Sequence, residues 1–141
     1  MTRDCGAWIN LLAHQVKKRM NATLSDLGIT GVQSWVMHYI LEHCQNGPVF
    51  QRDVEAAFNL SRSTTTNILQ LMEKNGVIRR ESVDYDARLK RLVPTQKAVQ
   101  MEAQVRECAR LLEQRITQGL TDAQRDQFLR TAQRMSENLK E

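Results

Sequence analysis

The sequence predicts a mainly α-helical fold with one small β-hairpin. Apolar residues recur at spacings of three and four along most of the chain, which is the period of an amphipathic helix. Aromatic residues make up 5% of the 141 residues, which favours helices over a large sheet. One pair of strand candidates, residues 77–82 and 88–93, flanks a polar turn. The length is that of a single domain, expected over residues 1–141.

Two helices are expected before residue 45. The first runs from residue 4 to about 22, and residues 21–27 are expected to form a loop or short turn. Thr30 is a good N-cap for a second helix over Gly31–Cys44, because its hydroxyl can accept a free backbone N–H group. The sequence Asn46-Gly47-Pro48 ends that helix. The buried stripe of the second helix is predicted to be Val32, Trp35, Val36, Tyr39 and Ile40.

A helix-turn-helix is predicted from Gln51 to Asn75. The first of its helices spans Gln51–Phe58, with Val54, Ala57 and Phe58 on one face. Ser61 is expected to cap the second helix, and Gly76 to stop it. The buried stripe of the second helix is predicted to be Thr65, Ile68, Leu69 and Met72.

The outer face of this second helix is rich in hydroxyl and amide groups instead of the usual Glu and Lys. Such short donors and acceptors suit phosphate oxygens and the edges of bases in a major groove. The sequence therefore predicts that this face contacts double-stranded DNA, with phosphate contacts from the start of the preceding helix at Gln51 or Arg52. The residues predicted to face the groove are Arg62, Ser63, Thr64, Thr66, Asn67 and Gln70.

A two-stranded wing is predicted to follow, with Val77–Ser82 and Arg88–Val93 as strands and residues 83–87 as the turn. Arg88 is expected at the tip, inserted towards the DNA backbone or minor groove and held by an ion pair with Asp86. Lys90 is expected to support the same contact. Residues 49–50 are expected to add one short extended rung beside the wing.

Two helices are expected after the wing. Thr95 caps a long one to about Gln118, and Thr121 with Gln124 forms a capping box for the last. A narrow seam along the long helix suits a partner helix. Since nothing in the sequence covers the apolar stripes of the terminal helices, a homodimer is expected, with recognition helices about 34 Å apart on a pseudo-palindromic operator. The seam is Ala98, Met101, Val105, Cys108 and Leu112, and the last stripe is Phe128, Ala132, Met135 and Leu139.

Several stretches together resemble the MarR-type winged helix-turn-helix regulators. They are Leu60–Thr64, Leu71–Arg80, Asp84–Arg88, and Leu27–Thr30 with Gln33. The resemblance covers about residues 8–139. It implies a dimeric bacterial or archaeal transcription factor, usually a repressor, often released from DNA by a small aromatic ligand or by oxidation. The expected organisation is a DNA-binding core over 30–94 and dimerisation helices over 1–29 and 95–141.

The sequence offers candidates for three kinds of sensing site. A pocket for a small aromatic ligand is predicted where the first, second and fifth helices meet, since such ligands bind in apolar clefts with few polar groups. Cys5 lies near the start of the first helix, where the resemblance implies a reactive thiol in oxidation-sensing members, but a structural role for all three cysteines is favoured. Scattered histidines predict no metal site. The pocket candidates are Trp8, His14, Trp35, His38 and Tyr39.

Other classes of protein are disfavoured. No run approaches the ~18 apolar residues of a membrane span, and the first five residues contain no apolar signal core, so a cytoplasmic protein is expected. No nucleophile motif, phosphate loop or Gly-rich fingerprint predicts an enzyme or a cofactor. The net charge of +4 is spread along the chain and permits a nucleic-acid partner without requiring one. The alternatives are a winged-helix protein–protein module and a thiol-sensing regulator.

Overall fold

A computed structural model describes residues 4–140. In this part of the chain six helices and one two-stranded antiparallel sheet follow each other in the order α1-α2-α3-α4-β1-β2-α5-α6. The elements are α1 (Cys5–Asp26), α2 (Gly31–His43), α3 (Gln51–Phe58), α4 (Arg62–Lys74), β1 (Ile78–Val83), β2 (Asp86–Pro94), α5 (Gln96–Ile116) and α6 (Asp122–Asn138).

The chain divides into two compact units, the first ending at Ala109 and the second beginning at Arg110. The first unit holds the winged helix-turn-helix and a single hydrophobic core. No described residue of the second unit is buried within this chain. Each fully buried Leu, Ile or Met side chain stabilises the first unit by about 1.5–3 kcal/mol relative to its exposed state. The core includes Leu24, Ile29, Val36, Met37, Ile40, Val54, Leu69, Met72, Ile78, Leu92, Ala98 and Met101.

Helix α1 is longer than predicted, since residues 21–26 continue the helix and do not form a loop. Leu24 is only 2% exposed and lies in the core, so helical packing is favoured there. The Thr23 hydroxyl donates to the Arg19 carbonyl oxygen at 3.0 Å, which satisfies it inside the helix. The helix ends at Leu27, and Gly28 follows with φ +77°, a conformation that suits glycine.

Helix α2 has the predicted cap but a different buried face. Thr30 and Gln33 form a capping box, with reciprocal contacts of 3.2 Å. The buried face contains Val36, Met37 and Ile40, whereas Trp35 is 66% exposed and Val32 is 42% exposed. The prediction that Val32 and Trp35 belong to the buried stripe was therefore wrong. Neighbouring helical residues point about 100° apart, so burying Met37 turns Trp35 towards solvent.

The helix-turn-helix has the predicted bounds. Helix α3 ends at Phe58, and Asn59 takes the left-handed conformation with φ 51°. Ser61 caps α4, which Asn75 and Gly76 end. In the buried stripe of α4 Thr65, Leu69 and Met72 are at most 1% exposed, as predicted, and Ile68 is half-buried. Ala57 of α3 is exposed, so that part of the α3 prediction was wrong.

The wing has a tighter turn than predicted. Val83 and Asp86 are paired, which leaves only residues 84–85 in the turn. The register shifts between Ser82 and Val83: Ser82 pairs with Lys90, but Val83 pairs with Asp86 and not with residue 89. The predicted five-residue turn was too long, since Asp86 already belongs to β2. The predicted extra rung is confirmed, with Val49 bridged to Leu92.

The first half of the apolar seam of helix α5 packs against the core of this chain. Ala98 and Met101 are 0% and 6% exposed and belong to the core, and Val105 packs against it. This part of the seam is therefore not available to a partner helix, contrary to the prediction. Thr95 caps the helix as predicted, accepting from the Ala98 N–H at 3.4 Å, but the helix ends at Ile116.

Candidate nucleic-acid interface

The turn between α3 and α4 fixes the start of the recognition helix. Asn59 closes α3, and the Leu60 N–H donates back to the Glu55 carbonyl oxygen at 3.0 Å. The Ser61 hydroxyl then accepts from the Thr64 N–H at 3.2 Å. These local contacts leave the first turn of α4 exposed, with its side chains away from the core.

Part of the hydroxyl run in α4 stabilises the helix start, because several of its hydroxyl protons are donated within the helix. The Ser61 hydroxyl also donates to Thr64 Oγ1 at 2.9 Å. Thr65 is fully buried, and its hydroxyl donates to the Ser61 carbonyl oxygen at 2.8 Å. The Thr66 hydroxyl donates in the same way to the Arg62 carbonyl oxygen at 2.8 Å. Sequence reasoning missed these bonds within the helix, although hydroxyl side chains commonly return to the backbone four residues earlier.

The outer face of α4 nevertheless carries exposed polar groups over about two turns. Thr66 is half-buried because it faces α3, where it contacts Gln51. Because this face lies opposite Leu69 and Met72, the core holds it rigidly while its side chains remain accessible. The exposed residues are Arg62, Ser63, Thr64, Asn67 and Gln70.

The start of α3 lies beside this face. Gln51 Nε2 donates to Thr66 Oγ1 at 2.9 Å and approaches the Arg62 carbonyl oxygen at 3.4 Å. The Gln51 side-chain amide is therefore directed to α4, and the predicted phosphate contact from the start of α3 is left to Arg52 or to a rearranged Gln51. The exposed Arg52 lies with its guanidinium carbon 4.8 Å from the centre of the Phe50 ring. Such a cation–π contact holds an arginine in place while leaving its donors accessible.

Arg88 is the most accessible of the basic side chains with ion pairs on the wing. Its side chain is 93% exposed. Asp86 Oδ1 accepts from the Arg88 backbone N–H at 2.9 Å and lies 3.5 Å from Arg88 Nε, so the predicted pair is present but weak. Lys90 reaches across the hairpin and donates to the Ser82 hydroxyl. Arg88 lies two residues beyond the start of β2, not at the tip.

The remaining wing arginines are engaged by carboxylates. Glu81 accepts from Arg79 Nε at 2.8 Å and from an Arg91 terminal nitrogen at 3.0 Å. The hydrogen bonds from Arg79 and Arg91 hold the pKa of Glu81 below its ordinary value of 4.5. Arg80 donates to Glu73 of α4 at 3.0 Å, and this contact ties the wing to the recognition helix. Sequence reasoning did not find this link, because it joins two elements.

Tyr85 occupies the wing tip in place of the predicted Arg88. Its side chain is 73% exposed, and it forms the two-residue turn together with Asp84. The predicted turn included Tyr85 without assigning it a role. A tight turn places its central side chains at the far end of the hairpin, so Asp84 and Tyr85 mark the tip of the wing.

A cleft of about 1330 Å³ lies within the first unit. Its wall includes Trp35, His38 and Tyr39 of α2, which are three of the predicted pocket residues. The wall also includes Phe58 at the end of α3, and Leu71 and Asn75 in the last turn of α4 and its cap. A ligand in the cleft would therefore contact the end of the recognition helix directly.

Trp8 and His14 are not part of the cleft wall, so the predicted pocket was wrong at these two positions. The face of α1 that lines the cleft contains Ala13, Met20 and Leu24. Successive helical residues rotate by about 100°, which places Trp8 roughly opposite these three residues. His14 has nearly the same helical angle as Asn21, which does line the cleft, so His14 differs from it in position along the helix and not in face.

The cleft wall also contains the polar side chains of His38, Glu42 and Glu102. His38 Nδ1 is 2.7 Å from Glu102 Oε1 of α5, and His38 Nε2 is 3.4 Å from Glu42 Oε2. Arg106 approaches the same Glu102 oxygen at 3.7 Å. Sequence reasoning missed Glu102, whose side chain is only 15% exposed, because α2 and α5 are distant in the sequence.

The other sensing candidates are dispersed. Cys5 is exposed at the first residue of α1, while Cys44 and Cys108 are half-buried and all three are free thiols. Among residues 4–140, no group of three or more His, Cys, Asp or Glu side chains could hold a metal ion. Within the same range, none of the helices has the length and apolar character needed to cross a bilayer.

The fold is that of a winged helix-turn-helix, as comparison with solved structures establishes. MepR, described as a transcription regulator of the Staphylococcus aureus multidrug efflux pump MepA, matches with a TM-score of 0.88 at 20% identity, covering 98% of this chain and 100% of that chain. The S. aureus MepR–DNA complex matches with a TM-score of 0.71 at 20% identity, covering 97% of each chain. A putative MarR family transcriptional regulator from Clostridium acetobutylicum matches with a TM-score of 0.79 at 23% identity, covering 95% of this chain and 97% of that chain.

The middle of the chain also matches a family by its sequence. Residues 27–89 match the model of the MarR family, and this stretch contains α2, the helix-turn-helix and the wing as far as β2. The resemblance to the MarR family that the sequence shows is thus confirmed over this stretch. No curated protein gives a significant match over its sequence.

Proposed function

We propose that this protein is a homodimeric repressor that binds a pseudo-palindromic operator and is released from it by a small ligand. The observation that carries the proposal is the outer face of α4, where five polar side chains are exposed above a helix face that is fully buried. Arg62, Asn67 and Gln70 can hydrogen-bond to base edges or to phosphates. Ser63 and Thr64 present short hydroxyls at the end of the helix that would enter the groove first.

The wing and the start of α3 would supply the contacts to the DNA backbone. Arg88 is 93% exposed, and its single carboxylate contact is long, so its guanidinium can move to a phosphate or into the minor groove at little cost. Arg52 offers a second cation beside the start of α3. Such contacts give affinity and orientation without reading sequence, whereas α4 would read the bases.

A second copy of the chain would cover the apolar residues that this chain leaves exposed. On α1, Trp8, Ile9, Leu12 and Val16 are between 37% and 51% exposed and share one helical face. The second unit exposes Phe128, Leu129 and other large apolar side chains. Large apolar patches on a monomer mark surfaces for association. We therefore assign residues 30–94 to DNA reading and residues 1–29 and 95–141 to dimerisation.

The ligand would act through the cleft. Its wall contains both Trp35 of α2 and the end of α4 at Leu71 and Asn75. A ligand that binds better to a cleft shape in which α4 is displaced lowers the population of the DNA-binding state. Small aromatic compounds fit a wall with aromatic side chains and few polar groups.

Titration against DNA tests the proposal. The purified protein should bind a duplex from its own upstream intergenic region more tightly than a random duplex, and both affinities should fall steeply with salt through counterion release. Equal and weak binding to both duplexes, insensitive to salt, would instead favour a protein–protein module. The measurement is a fluorescence anisotropy titration at two salt concentrations.

A matched pair of histidine variants tests the ligand site. A screen of aromatic acids and phenols should find compounds that raise the melting temperature and weaken operator binding. His38→Ala, in the cleft wall, should reduce both responses, while His14→Ala, outside the wall on α1, should retain them. Equal responses in the two variants would show that the ligand binds elsewhere.

A further inference from the structure

Gln51 and Thr66 form a hydrogen-bonded unit that joins α3 and α4, the two helices of the helix-turn-helix. They lie fifteen positions apart in the sequence, and Gln51 Nε2 is 2.9 Å from Thr66 Oγ1. The same nitrogen is 3.4 Å from the Arg62 carbonyl oxygen. Because a carbonyl oxygen can only accept, the amide must direct its NH₂ group to this side. Gln51 Oε1 therefore points away from these two partners.

The hydroxyl of Thr66 has its proton already committed. It donates to the Arg62 carbonyl oxygen at 2.8 Å while it accepts from Gln51. A hydroxyl has one proton and two lone pairs, so Thr66 retains a single accepting site and no donor. Gln51 in turn directs its amide donors to α4 and retains the lone pairs of Oε1.

Both groups that remain available are therefore acceptors. Phosphate oxygens offer no proton, and the O6 and N7 atoms of guanine offer none either. In the major groove, protons come from the exocyclic amino groups, N6 of adenine and N4 of cytosine. An acceptor pair placed against guanine O6 and N7 would leave buried lone pairs facing one another, which is unfavourable.

We infer that the Gln51–Thr66 unit is a specificity-determining element that selects a base with an exocyclic amino group, adenine or cytosine, at one position of each half-site. This inference rests on the proposed DNA-reading function. Thr66 acts in it as the reading group. Gln51 both positions the Thr66 hydroxyl and adds a second acceptor through Oε1. A phosphate contact by the Gln51 side chain would require the amide to leave Thr66 and Arg62.

Selection from a randomised duplex library is the first test. The wild-type protein should enrich one base pair at one position per half-site, and the amino group of its adenine or cytosine is the expected contact. Gln51→Ala and Thr66→Val should both lose that preference by about tenfold at the same position, a size typical of a single base contact. Thr66→Ser, which keeps the hydroxyl, should retain it. Gln100→Ala, an exposed glutamine of α5, serves as the matched control.

Base analogues test the same inference without changing the protein. In the selected duplex, adenine is replaced by purine or cytosine by 2-pyrimidinone, one position at a time, so that only the amino group is removed. One position per half-site should lose about tenfold in affinity for the wild-type protein and almost nothing for Thr66→Val. The two replacements also distinguish adenine from cytosine as the selected base.

The outcomes separate this inference from the proposed function. Sequence-selective binding in which Gln51→Ala and Thr66→Val keep every base preference would overturn the inference and leave the DNA-binding proposal intact. Removal of each amino group in turn from the selected duplex, with no position where wild type loses more affinity than Thr66→Val, would also overturn it, because the unit would then accept from no base. Wild-type protein that binds no duplex selectively would overturn both.

Discussion

Helices α1 and α4 are both amphipathic, but they use their apolar faces in opposite ways. In α4, Leu69 and Met72 are at most 1% exposed, so the apolar face is satisfied within one chain. In α1, Ile9 and Leu12 are 48% and 44% exposed, and their face has no cover in the chain as described. The same periodic pattern can therefore either stabilise the fold or provide a surface for association. Since the apolar face of α4 is buried, only the polar face of this helix is available to contact another molecule.

The largest expected effect comes from placing a charge on the exposed stripe of α1. Leu12→Glu should weaken the dimer by on the order of 10²- to 10⁴-fold, because symmetry places the charge in the interface twice and removes the burial of two Leu side chains. Analytical ultracentrifugation measures the dissociation constant. Operator affinity should fall with it, since a monomer reads only one half-site.

Asn10→Glu is the control for that experiment. Asn10 is exposed on α1, and its position is about 160° around the helix from Leu12. The same charge at this position should leave the dimer unchanged. A dimer that is equally stable in both variants would remove α1 from the proposed interface and would break the comparison with α4.

Removing an apolar side chain from the buried face of α4 should act on stability instead. Leu69→Ala should lower the free energy of unfolding by about 2–5 kcal/mol, because the side chain is fully buried and leaves a cavity. Urea denaturation at fixed protein concentration measures the change. The exposed neighbour Gln70→Ala should change it by less than ~0.5 kcal/mol. A similar loss in both variants would contradict a rigid buried face under α4.

A change on the wing should alter DNA binding and leave both apolar faces untouched. Arg88→Ala should reduce affinity by roughly tenfold for every duplex, because the lost contact is to the backbone and not to a base. The slope of log affinity against log salt should become shallower by the amount that corresponds to the loss of about one phosphate contact per protomer. Anisotropy titrations at several salt concentrations measure both quantities. Unchanged affinity would exclude Arg88 from the interface.

The smallest expected effect concerns the carboxylate between the wing arginines. Hydrogen bonds from Arg79 and Arg91 lower the pKa of Glu81 below 4.5, so its contribution to stability is present above pH 4.5 and is lost as the pH falls through the lowered value. Glu81→Gln should lower the melting temperature at neutral pH by no more than ~2 °C, since the pairs are exposed. The variant and wild type should converge in acid. A difference that grows below about pH 4 would contradict this origin.

The sequence predicted the helix-turn-helix well because the signals that specify it are local. The bounds of α3, the cap at Ser61 and the stop at Gly76 each depend on residues within one helical turn. The exposed residues of the α4 face were also predicted, because they lie opposite a clear apolar stripe. The pair of Asp86 with Arg88 was found for the same reason, since only one residue separates the two.

The rest of the site depended on contacts between distant parts of the chain. The approach of His38 to Glu102 joins residues 64 positions apart, and no sequence pattern indicates it. The assignment of Trp8 to the pocket failed because both faces of α1 contain apolar residues, so periodicity did not decide which face lines the cleft. For His14 the sequence did not show how far along α1 the cleft extends. The exposed side chain of Trp35 likewise reflects competition with Met37 for one core.

Local signals in the chain were enough to specify the order of the elements, their caps at Thr30, Ser61 and Thr121, and the polar character of the recognition face. Each of these caps follows from backbone hydrogen bonds that a side chain satisfies within three or four positions. The packing of distant segments was needed to select the buried face of α2 and to bond Gln51 to Thr66. Those outcomes depend on how several helices share one core, because burial is favourable for more apolar residues than the core can hold.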